Sequence, residues 1–355
     1  MRGKRRDQLS LMMVGSLEER IPGSHPIRRI KALADRALSE LSEVFDGMYA
    51  QVGRPSIPPE RLLKSQLLIA LFSVRSDRQF CEQLDYNLLF RWFLDLDLEE
   101  GSFDASSFSR NRERLIQHEV AERFLAAIVA EAQKHQLLSA DHFSVDGTLI
   151  ESWASLKSFR PKDEPPGGDG NGWSDFRGEK RSNETHESKT DSQARLARKG
   201  NGQEARLCFS GHALMENRNG LLLDLVVSTA DGRAERREAL TLLGRLRGNR
   251  PRTVGADRGY DTKDFVAGCR ERGITPHVAR STHRRSAIDG RTSRHGGYRA
   301  SQIVRRRIEQ IFGWLKSFGG LRRSRVRGIA KTQLAARLAA AAYNLLRLSR
   351  LPAAA

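Results

Sequence analysis

Cysteine is scarce: Cys81, Cys208 and Cys269 are the three in 355 residues, scattered and odd in number. That argues against a disulfide framework and against cysteine-ligated zinc, and it fits a reducing cytoplasm. Long apolar runs are missing too. No stretch approaches the roughly 20 residues that a membrane-spanning helix needs, and the opening MRGKRRDQLS lacks the apolar centre of a signal peptide. Acids are outnumbered, with 43 Asp and Glu against 61 Lys and Arg. Hydrophobic content of 39% is low-normal, that of a soluble folded protein and not of a disordered chain. The length leads us to expect two domains.

What is present in excess is positive charge, a formal net +18. A surface of this kind binds polyanions through counterion release. The charge is uneven: from Arg280 to Arg327 there are fourteen Lys or Arg and two acids, Asp289 and Glu309. Membrane binding or solubility could also use such a surface. With no amphipathic anchor visible, nucleic acid is the favoured partner and no membrane role is expected.

The first half reads as helices. Ile27, Ile30, Leu33, Ala34, Ala37, Leu38 and Leu41 recur at three- and four-residue steps, one face of an amphipathic helix. A second helix follows Ser56-Ile-Pro-Pro, with Leu62, Leu63, Leu67, Leu71 and Phe72 as its apolar side. Ser76-Asp77 can cap a short third. FDASSFSRNRERL, residues 103–115, opens another that carries Arg110, Arg112 and Arg114. Such a bundle can read DNA or serve dimerisation and packing, and helix spacing does not separate the two.

At His142 the period changes to two. In HFSVDGTLIESW, Phe143 and Val145 alternate with Ser144 and Asp146, so Asp146 faces away from the apolar pair on a strand. Residues 158–204, rich in Gly, Pro and charge, read as a flexible surface excursion. ARLCFSGHALMEN and LLLDLVVS then flank the turn signal Asn217-Arg-Asn-Gly220, a hairpin. A charged helix, a strand RTVGA ending at Asp257, a helix stopped by Gly273, a strand ITPHVA, a basic loop and further helices complete the chain. This order suits an α/β domain over 139–355, a ribonuclease-H-like mixed sheet covered by helices, after an all-α domain over 1–138; a doubly wound fold is the alternative, though the 205–228 hairpin breaks its pattern.

Three acids stand out by position: Asp146 in the first strand, Asp257 at the end of a later one, and Glu309 on a late helix, in RRRIEQIFGWLK. Strand ends of an open sheet meet at one edge, and a helix packed there can add a third carboxylate. Hard cations such as Mg²⁺ are held by a few carboxylates, waters and substrate phosphates. Each acid also has a plainer reading, the aspartates as turn formers or helix caps and Glu309 as an ion pair with Arg305.

The segments SVDGTLIESWASLKSF, GADRGYDTKDF and SQIVRRRIEQIFGWLK resemble the three acidic blocks of bacterial insertion-sequence transposases of the DDE type, IS-four/IS-five-like group. PSIPPERLLKSQLLIALFSVRSDRQFCEQLDYNLLFRWF and AAYNLLRL are similar to that group as well, so the likeness spans most of the chain. The resemblance implies a ribonuclease-H-like fold, two divalent ions (Mg²⁺, with Mn²⁺ able to serve), cleavage at transposon ends and strand transfer into target DNA. It places Asp146, Asp257 and Glu309 on the catalytic, metal-binding acids. It also implies a homodimer or higher oligomer on DNA, in a bacterial cytoplasm at the nucleoid. The family's glutamate block pairs Glu309 with Arg305 and Lys316 as phosphate contacts; its tyrosine position holds Gln302, with Tyr298 the nearest aromatic. Arg258, Arg110 and Arg112 are further candidate DNA contacts.

Other candidates are weaker. His142, His186 and His212 have no CxxC or HExxH companion, which argues against a zinc or hydrolase site. Glu151 and Asp261 are decoys for Asp146 and Asp257, and Trp314 reads as core packing more readily than as a base-stacking platform. Two rivals stand beside the transposase expectation: a metal nuclease that cuts without strand transfer, and an inactive or domesticated transposase that only binds DNA.

Overall fold

The computed structural model describes residues 16–49, 56–162, 181–200, 202–246, 248, 250–283 and 285–352. Helices come first: α1 Leu17–Arg20, α2 Ile27–Ser39, α3 Ser42–Met48, α4 Pro59–Leu71, α5 Asp77–Leu84, α6 Leu88–Phe93, α7 Ser106–Gln117 and α8 Val120–Lys134. α2 buries the expected apolar steps, Ile27, Ile30, Ala34, Ala37 and Leu38. Pro59 occupies the first turn of α4, where its missing N–H costs nothing. The Ser76 side chain caps α5 by accepting from the Gln79 N–H. Phe72, expected on the apolar side of α4, is instead its C-cap and 46% exposed. The chain leaves the helix there, Ser73 taking a positive φ of 53°, before the ring can turn inward.

The second half contains β1 His142–Glu151, β2 Phe159–Pro161, β3 His186–Ser188, β4 Arg195–Ala197, β5 Arg206–Glu216, β6 Leu222–Thr229, α9 Ala234–Gly244, β7 Arg252–Ala256, α10 Lys263–Glu271 and β8 Ile274–Val278. It closes with α11 Gly290–Arg294, α12 Gly296–Val304, α13 Arg307–Ser317 and α14 Ile329–Arg350. β1 is central. It pairs antiparallel with β5, which pairs antiparallel with β6, and on its other edge it pairs parallel with β7, followed by β8. Three antiparallel strands joined to two parallel ones make the mixed, ribonuclease-H-like sheet that the element order predicts.

The two faces have different covers. Phe143 and Val145 of β1 pack with Val254, Ala256, Leu242 and Phe265 under α9 and α10. Ile150, Phe209, Ala213 and Met215 on the opposite face belong to a core that continues through α14 into the N-terminal helices. A division at 138/139 therefore does not separate two cores. α14 touches α2, α4, α7, α8 and β6, and the apolar pattern of α14 alone could not reveal that it belongs with helices two hundred residues earlier.

α14 also shields an open edge of the sheet. The Asn344 side chain accepts from the Leu222 N–H at 2.9 Å and donates to the Leu222 carbonyl at 2.7 Å. Gln333 repeats the device, accepting from Val227 N–H at 2.6 Å and donating to the Leu225 carbonyl at 2.7 Å. Two amides thus take the place of a neighbouring strand along β6, which would otherwise be an unpaired edge. Asn344→Leu leaves both Leu222 groups unpaired in a buried setting, and we expect a loss of about 2–4 kcal/mol of stability by denaturant unfolding.

The stretch 158–204, expected as a flexible excursion, is built into the fold over its described part. β2 and β3 pair with each other, and β4 adds to β5. The buried Asp191 carboxylate accepts from the Gly328 N–H at 3.0 Å, tying this stretch to the start of α14. Its composition reads as loop because these strands are short and held by hydrogen bonds more than by apolar faces. Residues 163–180 lie outside the described residues.

Candidate active site

The ladder between β1 and β7 ends at Ser144 and Gly255. Continued by two residues, that register sets Asp146 level with Asp257, at the point where two parallel strands part. Asp257 also turns the chain: its Oδ1 accepts from the Gly259 N–H at 2.8 Å and caps a one-turn helix over Arg258–Tyr260. Cap and cleft acid are thus both true of it. Glu309 lies in the first turn of α13, where a carboxylate suits the helix N-terminus, and α13 packs against β1. Asp146, Asp257 and Glu309 all line one cleft of about 1320 Å³, and Glu235 of α9 lines it with them.

The ion-pair reading of Glu309 does not hold. Arg305 Nε donates to Gln302 Oε1 at 2.9 Å, and among the described residues none of the four cleft acids has an ion-pair partner. A chain of net charge +18 thus sets four carboxylates along one cleft with none of them in an ion pair among the described residues. Burial, and with it the charges of Asp257, Glu235 and Glu309, pushes the Asp146 carboxyl up from 3.8 to about 7, against the Gly147 N–H that favours its ionised form. Burial, then the charge of Asp257, raises Glu235 as well.

Oxygen donors that repel one another and stand outside any ion pair suit a hard divalent ion. The Tyr260 hydroxyl, buried beside them without a hydrogen-bond partner, points the same way. Among the described residues no three Asp, Glu, His or Cys side chains already converge on one point. The acids line a cleft and do not form a cage, which fits an ion that keeps part of its shell for water and substrate phosphate.

The same cleft is also lined by cations. Arg195, Arg198 and Lys199 reach the cleft from β4 and the turn after it, and Lys316 from α13. Lys316 lies two turns after Glu309 on the same helix. Burial, then the charges of Lys199 and Arg322, lowers its ammonium pKa.

Glu235 and the β4 cations were not found by sequence reasoning. In RAERREAL Glu235 looks like one of several solvated charges, and Arg198 and Lys199 fall in a stretch read as loop. The one signal was Gly147 beside Asp146: a Cβ there would lie 2.8 Å from Glu235 Oε1.

The remaining candidates are dispersed. Arg258 is exposed, one residue beyond Asp257. Arg305 does not line the cleft, because the expected continuous helix breaks between α12 and α13 and takes it off the face of Glu309 and Lys316. Gln302 has a packing role: its Nε2 donates to the His277 carbonyl of β8 while its Oε1 accepts from Arg305. Tyr298 donates to the Val278 carbonyl at 2.9 Å. Arg110, exposed, and Arg112, paired with Asp77 at 2.9 Å, stand on α7 away from the cleft. Asp261 is buried and accepts from the Ser281 and Ala287 N–H groups at 2.7 and 2.8 Å, so it anchors the basic loop and does not rival Asp257. Glu151 pairs with Arg206 at 2.5 Å. Trp314 packs against Phe318 and Tyr343.

The sequence matches the family model described as Transposase domain (DUF772) over residues 15–114 and the one described as Transposase DDE domain over residues 173–345. Among curated proteins nothing matches it. Among solved structures it is similar to the piggyBac transposase synaptic complex with hairpin DNA, at 9% identity and TM-score 0.41 over 91% of this chain and 75% of that one. It is also similar to the Mos1 transposase paired-end complex with left transposon end, at 11% identity and TM-score 0.20 over 64% and 61%. Likenesses that distant add nothing to the family models. The two models fall in chain order on the helical region and on the part of the chain that holds Asp257 and Glu309, and the chain belongs to the insertion-sequence DDE transposases, enzymes that cut DNA and transfer the cut strand.

Proposed function

We propose that Asp146, Asp257 and Glu309 are the catalytic acids of this transposase and that they hold two divalent ions, Mg²⁺ with Mn²⁺ able to replace it. The observation that carries this reading is a single cleft lined by acids outside any ion pair and by the cations Arg195, Arg198, Lys199 and Lys316. Asp146, Asp257 and Glu309 would hold these ions, which when bound would supply Lewis-acid stabilisation of the phosphoryl oxygens and a more acidic water or 3′-hydroxyl for in-line displacement. The chain itself supplies position and charge. The splay of β1 from β7 sets Asp146 and Asp257 side by side, α13 brings Glu309 to them, and Lys316, Arg198 and Lys199 in the same cleft grip the phosphates.

A protein-linked intermediate is disfavoured. Cys81, Cys208 and Cys269 are buried, and burial pushes their thiols up to about 12, 11 and 12, far from the thiolate a nucleophile needs. Transfer then runs directly from transposon end to target DNA. Outside the cleft, Arg258 and Arg305, with Arg110 and Arg112 on the 1–138 helical region, are proposed to contact DNA, that region holding the ends. Joining two ends in one event calls for a homodimer or higher oligomer on DNA, working at the nucleoid of a bacterial cytoplasm. The glutamate block, with Glu309 followed by Lys316, supports membership of the IS-four/IS-five-like group.

An end substrate with a free 3′-hydroxyl, incubated with supercoiled target and Mg²⁺, tests the reading. Joined product is expected. Nicking without joining would identify a nuclease, and binding alone a decayed transposase. Arg198→Ala with Lys199→Ala should weaken end binding and lower the slope of log K against log salt by about 1 for each phosphate that the cleft no longer grips; titration of binding against salt measures it.

A further inference from the structure

Glu235 is set into the cleft in a way that a solvated helix charge is not. Its carboxylate occupies the space beside Gly147, where a Cβ would meet Oε1 at 2.8 Å and Cγ at 2.9 Å. The residue before that glycine is Asp146. On the other side, the neighbouring Arg236 donates to the Gly259 carbonyl at 3.3 Å, which ties α9 to the turn that Asp257 caps. The Glu235 carboxylate thus lies beside the residue that follows Asp146, on a helix tied to the turn that Asp257 caps. Under it lies Tyr260, 1% exposed, packed edge-on against Phe265 at 5.0 Å. Its hydroxyl is buried and has no hydrogen-bond partner. The nearby charges acting on that hydroxyl are those of Glu235, Asp146 and Asp257, in that order.

A buried phenol without a partner is rare unless a group outside the protein completes its surroundings. A helix of ordinary surface charges does not press a carboxylate into the one position that only glycine leaves free. We propose that Glu235 is a fourth carboxylate of the metal centre, sharing the cation with Asp146 and Asp257, with Gly147 leaving the space that its carboxylate occupies. The proposal rests on the reading of Asp146, Asp257 and Glu309 as metal ligands.

Mn²⁺ binding to the full-length protein tests it without any use of activity. Free Mn²⁺ is followed by its electron paramagnetic resonance signal, and the thermal midpoint is read with and without Mn²⁺. Glu235→Gln should raise the Mn²⁺ dissociation constant about tenfold or more. It should also raise the midpoint of the metal-free protein, because one of four repelling charges is gone, and shrink the rise that Mn²⁺ produces. A residue that merely supports the helix would lower the metal-free midpoint, and that result overturns the proposal. So does a Glu235→Gln protein that binds Mn²⁺ like the parent while Asp146→Asn does not. If Asp146→Asn also binds like the parent, the underlying metal-ligand reading falls, and this one with it. Gly147→Ala serves as the second variant: its Cβ displaces the Glu235 carboxylate with the acid still present, and it should weaken Mn²⁺ binding as Glu235→Gln does. Unchanged binding there, in a folded protein, counts against the proposal.

Discussion

Asp146→Asn, Asp257→Asn and Glu309→Gln should each slow cleavage of a transposon-end substrate by roughly a thousandfold or more, equivalent to about 4 kcal/mol of lost charge stabilisation. The size follows from the chemistry. Phosphoryl transfer between DNA strands develops charge on the attacking, leaving and non-bridging oxygens, and in this cleft the acids are what would hold ions against that charge. The same substitutions should leave end binding within about twofold, since the proposed phosphate contacts are other residues of the cleft, Lys316, Arg198 and Lys199. Cleavage of a labelled end duplex in Mg²⁺, with binding measured in parallel by gel shift, separates the two effects. Cleavage that survives in any one variant removes that acid from the set. Loss of binding together with cleavage would mean that the acids act through folding or by touching DNA and not through an ion.

Asp146, Asp257 and Glu309 were legible because each falls at a boundary that local chemistry marks. Alternation about Val145 sets Asp146 on a known sheet face, a glycine-rich turn follows Asp257, and a helical apolar period surrounds Glu309. The order of strands and helices was legible for the same reason, and the sheet follows it. What escaped were facts that arise only in three dimensions. Glu235 differs from Glu238 on the same helix only in what it meets, Gly147 in one case and Arg237 in the other. Arg195, Arg198 and Lys199 sit in a stretch with too few apolar residues to read as strand, though the pairing of β4 with β5 brings that stretch to the cleft. Arg305 was misplaced for the converse reason: spacing presumes one unbroken helix, and the break before α13 moves a residue that counting puts beside Glu309. Gln302, at a position where a tyrosine would be usual, proves to be a bridge from α12 to β8 that also holds Arg305.

The metal-free protein should lose stability as pH rises toward 7, and Asp146→Asn should abolish most of that loss. Folding lifts the Asp146 carboxyl from its ordinary 3.8 to about 7. Between those two values the folded state binds more protons than the unfolded one, so stability falls with rising pH across that window and is flat above it. Three pKa units at about 1.4 kcal/mol each set a ceiling of roughly 4 kcal/mol, and coupling to Glu235, Asp257 and Glu309 spreads the titration and reduces what one substitution recovers to about 2 kcal/mol. Asparagine keeps the shape and carries no charge, so in EDTA at about pH 8 the variant should melt above the parent although it no longer cuts DNA. Saturating Mg²⁺ should remove the parent's pH dependence and leave the variant nearly unmoved, because the ion stabilises the ionised form of the acid that the variant lacks. For the same reason Mg²⁺ affinity of the parent should climb between about pH 6 and 8, as the proton competing for Asp146 is lost. Thermal melts across that range, with EDTA and with Mg²⁺, read all three effects. A parent whose melting point in EDTA does not fall with pH, or a variant less stable than the parent at about pH 8, would show that burial and the neighbouring acids do not hold a proton on Asp146, and that the four carboxylates stand too far apart to serve one ion centre.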